Sequence, residues 1–285
     1  MQRAFVVLRS SLGATAALLT LFAADAAATT YCPRPLHRAT RLIVITVPDM
    51  KSVKATLHTF ERRSPGDATW FRAGPPEPAV VGSAGIGWAQ NFSHLAKKDE
   101  PIKTEGDNRT PAGIFRMSAP FGLKARPVKG FMKLAPGKSF CVRDPASIYY
   151  GKIIDKALVR SAKSEDMATV PTLREGIFVD YPARRAAKNG SCLFLHVWEN
   201  DLTGTEGRVA VAEDRVSVLQ DWMGQGFTAI AIVTEDTAKR FSHCLPINAK
   251  SNRYDQPAMA PMPNPRRDRQ QRAEIAPAPG HPAAP

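Results

Sequence analysis

His196 stands in the run Cys192-Leu-Phe-Leu-His-Val-Trp198, and a polar loop beyond it closes in Thr205-Glu-Gly-Arg208. An imidazole near hydroxyls and a glycine turn is raw material for acid–base or acyl chemistry, provided that something can attack. Arg208 cannot, because a guanidinium stays protonated and has no lone pair to offer. Cys192 and His196 share a strand face by parity, but four residues at about 3.3 Å each set their backbones about 13 Å apart. The hydroxyls of Ser191 and Thr205 would need a well-placed base far more than a thiol does. A histidine on an apolar strand is also a common core residue with its nitrogens satisfied. In the turn Gly106-Asp-Asn-Arg-Thr-Pro111, Asp107 and Arg109 either grip a ligand carboxylate or pair with each other and fix the turn. Arg208 has three candidate partners, Glu206, Asp144 or a ligand carboxylate, and the sequence does not choose among them.

The elements that must carry these residues are mainly strands. Residues 42–47, 79–81, 177–179, 192–198 and 228–233 are apolar, β-branched or aromatic runs bounded by Gly, Pro, Asn or Asp. Residues 147–161 and 213–223 have more helical spacing, the second with an apolar stripe of Val216, Leu219, Trp222 and Met223. These patterns predict a sheet-rich domain with one or two supporting helices.

Several ordered blocks point further. Arg41-Leu-Ile-Val-Ile-Thr-Val-Pro-Asp49 is followed by Gly85-Ile-Gly-Trp88 and by Lys103-Thr-Glu-Gly-Asp-Asn-Arg-Thr-Pro-Ala-Gly113, with Phe115 and Phe121-Gly122 beyond. Cys141-Val-Arg-Asp-Pro-Ala-Ser147, Lys163-Ser-Glu-Asp-Met167 and the segment 190–211 come next. In that order they resemble the L,D-transpeptidase family of peptidoglycan cross-linking enzymes. The resemblance implies a mainly β fold with minor α, a curved mixed β-sandwich, needing no cofactor and no metal. It places a cysteine nucleophile where this chain has Arg208, a base at His196, and oxyanion donors at the Gly207 and Arg208 amides. Peptidoglycan stem peptides would be the ligand, with Thr205 and Arg109 as candidate contacts. Arg143, Gly151 and Arg208 all depart from the family pattern, so the implied reading is a domain that binds without cross-linking. A working transpeptidase or carboxypeptidase with an atypical nucleophile is the alternative, and a cationic envelope-binding protein is another.

The remainder of the chain fits an exported protein. Arg3 and Arg9, an uncharged stretch from Ser10 to Ala24 and small residues at 24, 26 and 28 have the layout of a signal peptide over 1–28. A linker at 29–40, a domain at 41–249 and a Pro/Arg-rich disordered tail at 250–285 follow. Periplasmic or secreted placement is expected. The net charge is +13; from Lys250 onward there are six basic and three acidic side chains, and the signal adds one positive charge, so about +9 stays on the domain. Such a surface suits anionic envelope polymers or a wall enzyme. It does not suit nucleic acid, because no basic helix or basic-aromatic repeat is present. Four cysteines in an exported chain favour two disulfides out of three complete pairings. The family blocks favour Cys141 with Cys192, leaving Cys32 with Cys244 to join the ends of the domain.

Overall fold

Strand β1 (Arg41–Val47) is an unbroken apolar run whose residues Leu42, Ile43, Val44 and Ile45 are fully buried, which requires strands on both edges and cover on both faces. The computed structural model describes residues 32–159, 162–241 and 244–246. The expected signal at 1–28 and tail at 250–285 lie outside the described residues. Beside β1 runs β2 (Lys54–Glu61), antiparallel, and after it come β3 (Phe71–Arg72), β4 (Glu77–Val80), β5 (Ile86–Trp88) and the long β6 (Thr110–Gly122). Then follow β7 (Met132–Lys133), β8 (Phe140–Val142), β9 (Ile153–Ile154), β10 (Ser164–Asp166), β11 (Glu175–Val179), β12 (Phe194–Val197), β13 (Val209–Val211) and β14 (Thr228–Thr234). Among the described residues four α-helices are interspersed: α1 (Arg34–Arg38), α2 (Lys156–Val159), α3 (Glu213–Met223) and α4 (Glu235–Lys239).

Hydrogen bonding runs from β1 through β14, β6, β11, β12, β13, β4 and β2 and returns to β1, so eight strands close into a mixed barrel. The β1/β14 and β12/β13 pairs are parallel and the others antiparallel. A separate three-stranded sheet has the order β10-β8-β9. The content is mainly β with minor α, but the curved mixed sandwich expected from the resemblance is incorrect. The reason is β2. Its alternating sequence Lys54-Ala-Thr-Leu-His-Thr-Phe-Glu61 is passed over by a search for continuous apolar runs, yet it bonds the free edge of β1 and, through β4, reaches β13.

A second correction concerns 147–161. Instead of a helix, this stretch forms turns, then β9 against β8, then the one-turn α2. Gly151 has φ +73°, a left-handed conformation that interrupts any helix there. The helix over 213–223 forms as α3, with Glu213 and Asp214 in its first turn, where the dipole favours acids. It packs on β11 and β12, and the buried Gln220 amide donates to the carbonyls of Phe121 and Gly176, both at 2.9 Å.

Two disulfides, Cys32–Cys244 and Cys141–Cys192, are present, and no described cysteine is free. The first belongs to the main core inside and around the barrel. The second lies in a smaller cluster with Phe121, Leu134, Met167, Leu173 and Phe194, between the barrel wall and the small sheet.

Candidate functional site

The end of β12, the start of β13 and the loop between them border a pocket of about 180 Å³. His196 enters it from β12, between Gly176 of β11 and Ala210 of β13. Nδ1 lies 2.8 Å from the Val197 carbonyl. A carbonyl can only accept, so Nδ1 carries the proton and Nε2 the lone pair, an assignment made from the partner. Nε2 is buried with no aligned hydrogen-bond partner. Burial first, and then the charge of Arg208, lower the His196 pKa to about 4, while the carbonyls of Val197 and Thr172 pull the other way. The ring is neutral at pH 7.

Arg208 is only 6% exposed. Its guanidinium is ion-paired with Glu165 of β10, donates from Nε to the Cys192 carbonyl at 3.3 Å, and lies 5.3 Å above the Phe194 ring. Its main chain is equally engaged. The amide donates to Thr205 Oγ1 at 2.7 Å, and the carbonyl accepts from Thr205 Oγ1 at 2.6 Å and Thr110 Oγ1 at 2.7 Å. Of the two amides expected to serve as oxyanion donors, that of Arg208 is therefore committed inside its own turn. Gly207 has φ +96°, and a Cβ there would meet the Arg109 carbonyl at 2.8 Å, so the turn needs glycine.

The candidate nucleophiles are occupied as well. Cys192 is in a disulfide, the Thr205 hydroxyl is held by Arg208, and Ser191 donates to Glu105 at 2.8 Å. Arg143 donates to Glu206 at 2.6 Å and approaches Glu105 at 3.7 Å. That bond from Arg143, more than any other cause, holds the Glu206 carboxyl below its usual range. The two arginine departures from the family pattern thus sit in one network of opposite charges.

Arg109 is not brought to the pocket. Its guanidinium donates to the carbonyls of Met50 and Ile86, both at 3.2 Å, and braces two loops. Asp107 does not pair with the Arg109 side chain; it accepts the Arg109 amide at 2.9 Å and forms an ion pair with the buried Lys103. Sequence reasoning missed Lys103, Glu105 and Glu165. Only Lys103 and Asp107, four residues apart, left a local signal; Glu165 meets Arg208 across 43 residues.

The lining carries three carboxylates, Glu165, Glu199 and Glu206, against one cation, Arg208. Arg208 is matched by Glu165, and Arg143 offsets Glu206. The pocket is therefore not cationic. Its vacant polar capacity is that of an acceptor. Among the described residues no group of His, Cys, Asp and Glu is arranged to hold a metal ion.

No protein-family model matches this chain, and no curated protein matches it. Among solved structures it is similar to the helical cell shape determining protein Pgp2 from Campylobacter jejuni, with 13% identity and a TM-score of 0.32, over 68% of this chain and 47% of that one. A point mutant of Pgp2 gives the same identity and TM-score over 70% of this chain and 56% of its own. The chain thus spans about half the length of these structures, and a likeness so distant assigns no activity. Membership of the L,D-transpeptidase family, drawn from the ordered blocks, is corrected on these grounds. No family model matches, and the barrel is closed where a sandwich was expected.

Proposed function

We propose that this protein is an extracytoplasmic domain that binds peptidoglycan without making or breaking its bonds. Arg208 carries this reading: the turn beside His196 holds a buried, ion-paired guanidinium, Cys192 is in a disulfide, and the Thr205 and Ser191 hydroxyls are hydrogen-bonded. Acyl transfer through that turn has no thiol to begin from. Two disulfides suit an oxidising compartment, and no described helix is long and apolar enough to cross a membrane. The positive charge of the domain supports attraction to wall stem peptides and their carboxylates.

A second reading, a general cationic envelope protein, is favoured by one observation. Arg208 spends its charge on Glu165, so the excess positive charge belongs to the surface and not to the pocket. One experiment separates the readings. Incubation with disaccharide-tetrapeptide, followed by mass spectrometry of peptide and protein, should show no cross-linked product and no covalent adduct. Binding to purified sacculi should survive physiological salt if the pocket contributes and vanish if only surface charge does. A product or adduct on any side chain would overturn the non-catalytic reading.

A further inference from the structure

The pocket beside Arg208 contains an imbalance. His196 Nε2 offers a lone pair, is buried, and receives no hydrogen bond. A buried acceptor left empty costs free energy comparable to a lost hydrogen bond, so its natural complement is a donor supplied by a ligand. A cation is a poor candidate for that donor, because the Arg208 guanidinium lines the pocket beside the imidazole. A carboxylate group has no donor to give. What remains is a neutral O–H or N–H.

The rim extends this preference. Glu199, exposed, and Glu206 present carboxylate oxygens, which only accept. Trp198 lines the same pocket half-buried, presenting an apolar surface beside those acceptors. Several acceptors around one aromatic surface match a molecule with many hydroxyl donors and an apolar C–H face, which is the chemistry of a sugar ring. A peptide's terminal carboxylate would add a negative charge beside Glu199, for which no ion pair is described.

We propose that this pocket binds a neutral sugar unit of a polysaccharide, donating a hydroxyl to His196 Nε2, with further hydroxyls reaching Glu199 and Glu206 and the ring seated against Trp198. This rests on the peptidoglycan-binding reading and assigns the glycan, not the stem peptide, to the pocket.

The test uses the 15N-labelled protein and long-range 1H–15N spectra of its histidines, with chitotetraose as probe, maltotetraose as a sugar lacking N-acetyl groups, and a free stem tetrapeptide as competitor. Chitotetraose should shift His196 Nε2 saturably, and the tetrapeptide should leave it unmoved. Trp198→Ala should weaken chitotetraose binding about tenfold and Glu199→Gln about threefold, with unchanged melting temperatures as the check on folding. An equal response to maltotetraose would still support a sugar site, recognised by its hydroxyls alone. If the tetrapeptide moves Nε2 and chitotetraose does not, the sugar proposal falls and the peptidoglycan reading stands. If neither moves it while sacculi are still bound, the sugar proposal falls and binding belongs to the surface. If chitotetraose binds but sacculi do not, the sugar site stands and the peptidoglycan reading falls. If chitotetraose, the tetrapeptide and sacculi all fail to bind, both fail.

Discussion

Two sides of the barrel are built on opposite principles. At β1/β14 seven consecutive residue pairs run in parallel, with Ile43 beside Ile230 and Ile45 beside Ile232, and burial of aliphatic surface does the work. At β13/β4 the barrel closes through a single pair, Ala210 with Val80, and beside it lie His196, Arg208 and Glu165, buried or nearly so. The first side is aliphatic in its middle and keeps its polar residues, among them Arg41, Thr46, Thr228 and Thr234, toward its ends. The second is held by charges and hydrogen bonds whose individual partners are far apart in sequence, and this is the side that carries a pocket. Both sides hold one buried nitrogen without a hydrogen bond, but Arg41 Nε on β1 lies 3.7 Å from the Glu61 carboxylate, whereas His196 Nε2 belongs to a residue that borders a pocket.

Each side has its own disulfide, and removing them gives the largest contrast. Cys32–Cys244 spans 212 residues and Cys141–Cys192 spans 51. In the chain-entropy model their loss costs roughly 5 and roughly 4 kcal/mol respectively. The Cys32→Ser/Cys244→Ser protein should therefore be the less stable in urea, and it should retain chitotetraose binding because its change lies in the main core. Cys141→Ser/Cys192→Ser removes the support behind Phe194 and Arg208 and should weaken the pocket as well. Equal binding by the two variants would show that the polar side does not depend on its own disulfide.

The Arg208–Glu165 pair gives the next effect. Glu165→Ala leaves a guanidinium buried without its counter-charge, at a cost of about 3–5 kcal/mol, whereas Glu165→Ala combined with Arg208→Met replaces the pair by apolar packing and should recover most of that loss. Chemical denaturation of the wild type, both single variants and the double variant measures the coupling. If the losses simply add, the pair is not what holds this side together.

Much of the aliphatic side is legible in the sequence, and little of the polar side is. The runs at 42–47 and 228–233 read as buried strands because both faces are covered, and the stripe Val216, Leu219, Trp222 reads as α3 because helical spacing survives without tertiary information. Barrel closure is illegible, since it depends on β2 and on one pair at Ala210. Residues 147–161 mislead for a related reason: their helical spacing is local, and the Gly151 turn and the β8/β9 pairing override it. The ordered blocks suggested a family that the comparisons do not support. At the site, the loss of a nucleophile was readable from Arg208 itself, but its choice of Glu165 over Glu206 or Asp144 follows only from where β10 lies.

Titration should separate the two sides by pH, since His196, the one fully buried histidine among the described residues, lies on the polar one. His196 has a folded pKa of about 4 against 6.5 in the unfolded chain. Between those values the unfolded state binds the extra proton, so stability falls as pH drops from about 6.5 to about 4, by about 3 kcal/mol in all. His58 is also lowered, by burial and then by Arg72, and acts in the same direction, but it stays in place in a His196→Phe variant. The difference between the two proteins' stability profiles therefore isolates His196. Parallel profiles between pH 4 and 6.5 would mean that its ring meets water in the folded state.

The smallest expected effect is at Thr205, whose hydroxyl both accepts from the Arg208 amide and donates to its carbonyl. Two neutral hydrogen bonds at about 1 kcal/mol each set the scale, so Thr205→Ala should cost about 1–2 kcal/mol, while Thr205→Ser, which keeps the oxygen, should stay within about 0.5 kcal/mol of wild type. In the aliphatic middle of β1/β14 stability comes from buried area and not from single side-chain donors. The structural loss should also change chemistry. With the Arg208 amide released, the turn would offer a free donor toward the pocket, and an anionic ligand such as acetate should gain affinity for Thr205→Ala alone. If calorimetry shows acetate binding equally weakly to all three proteins, the Thr205 clasp is not what keeps this turn closed to anions.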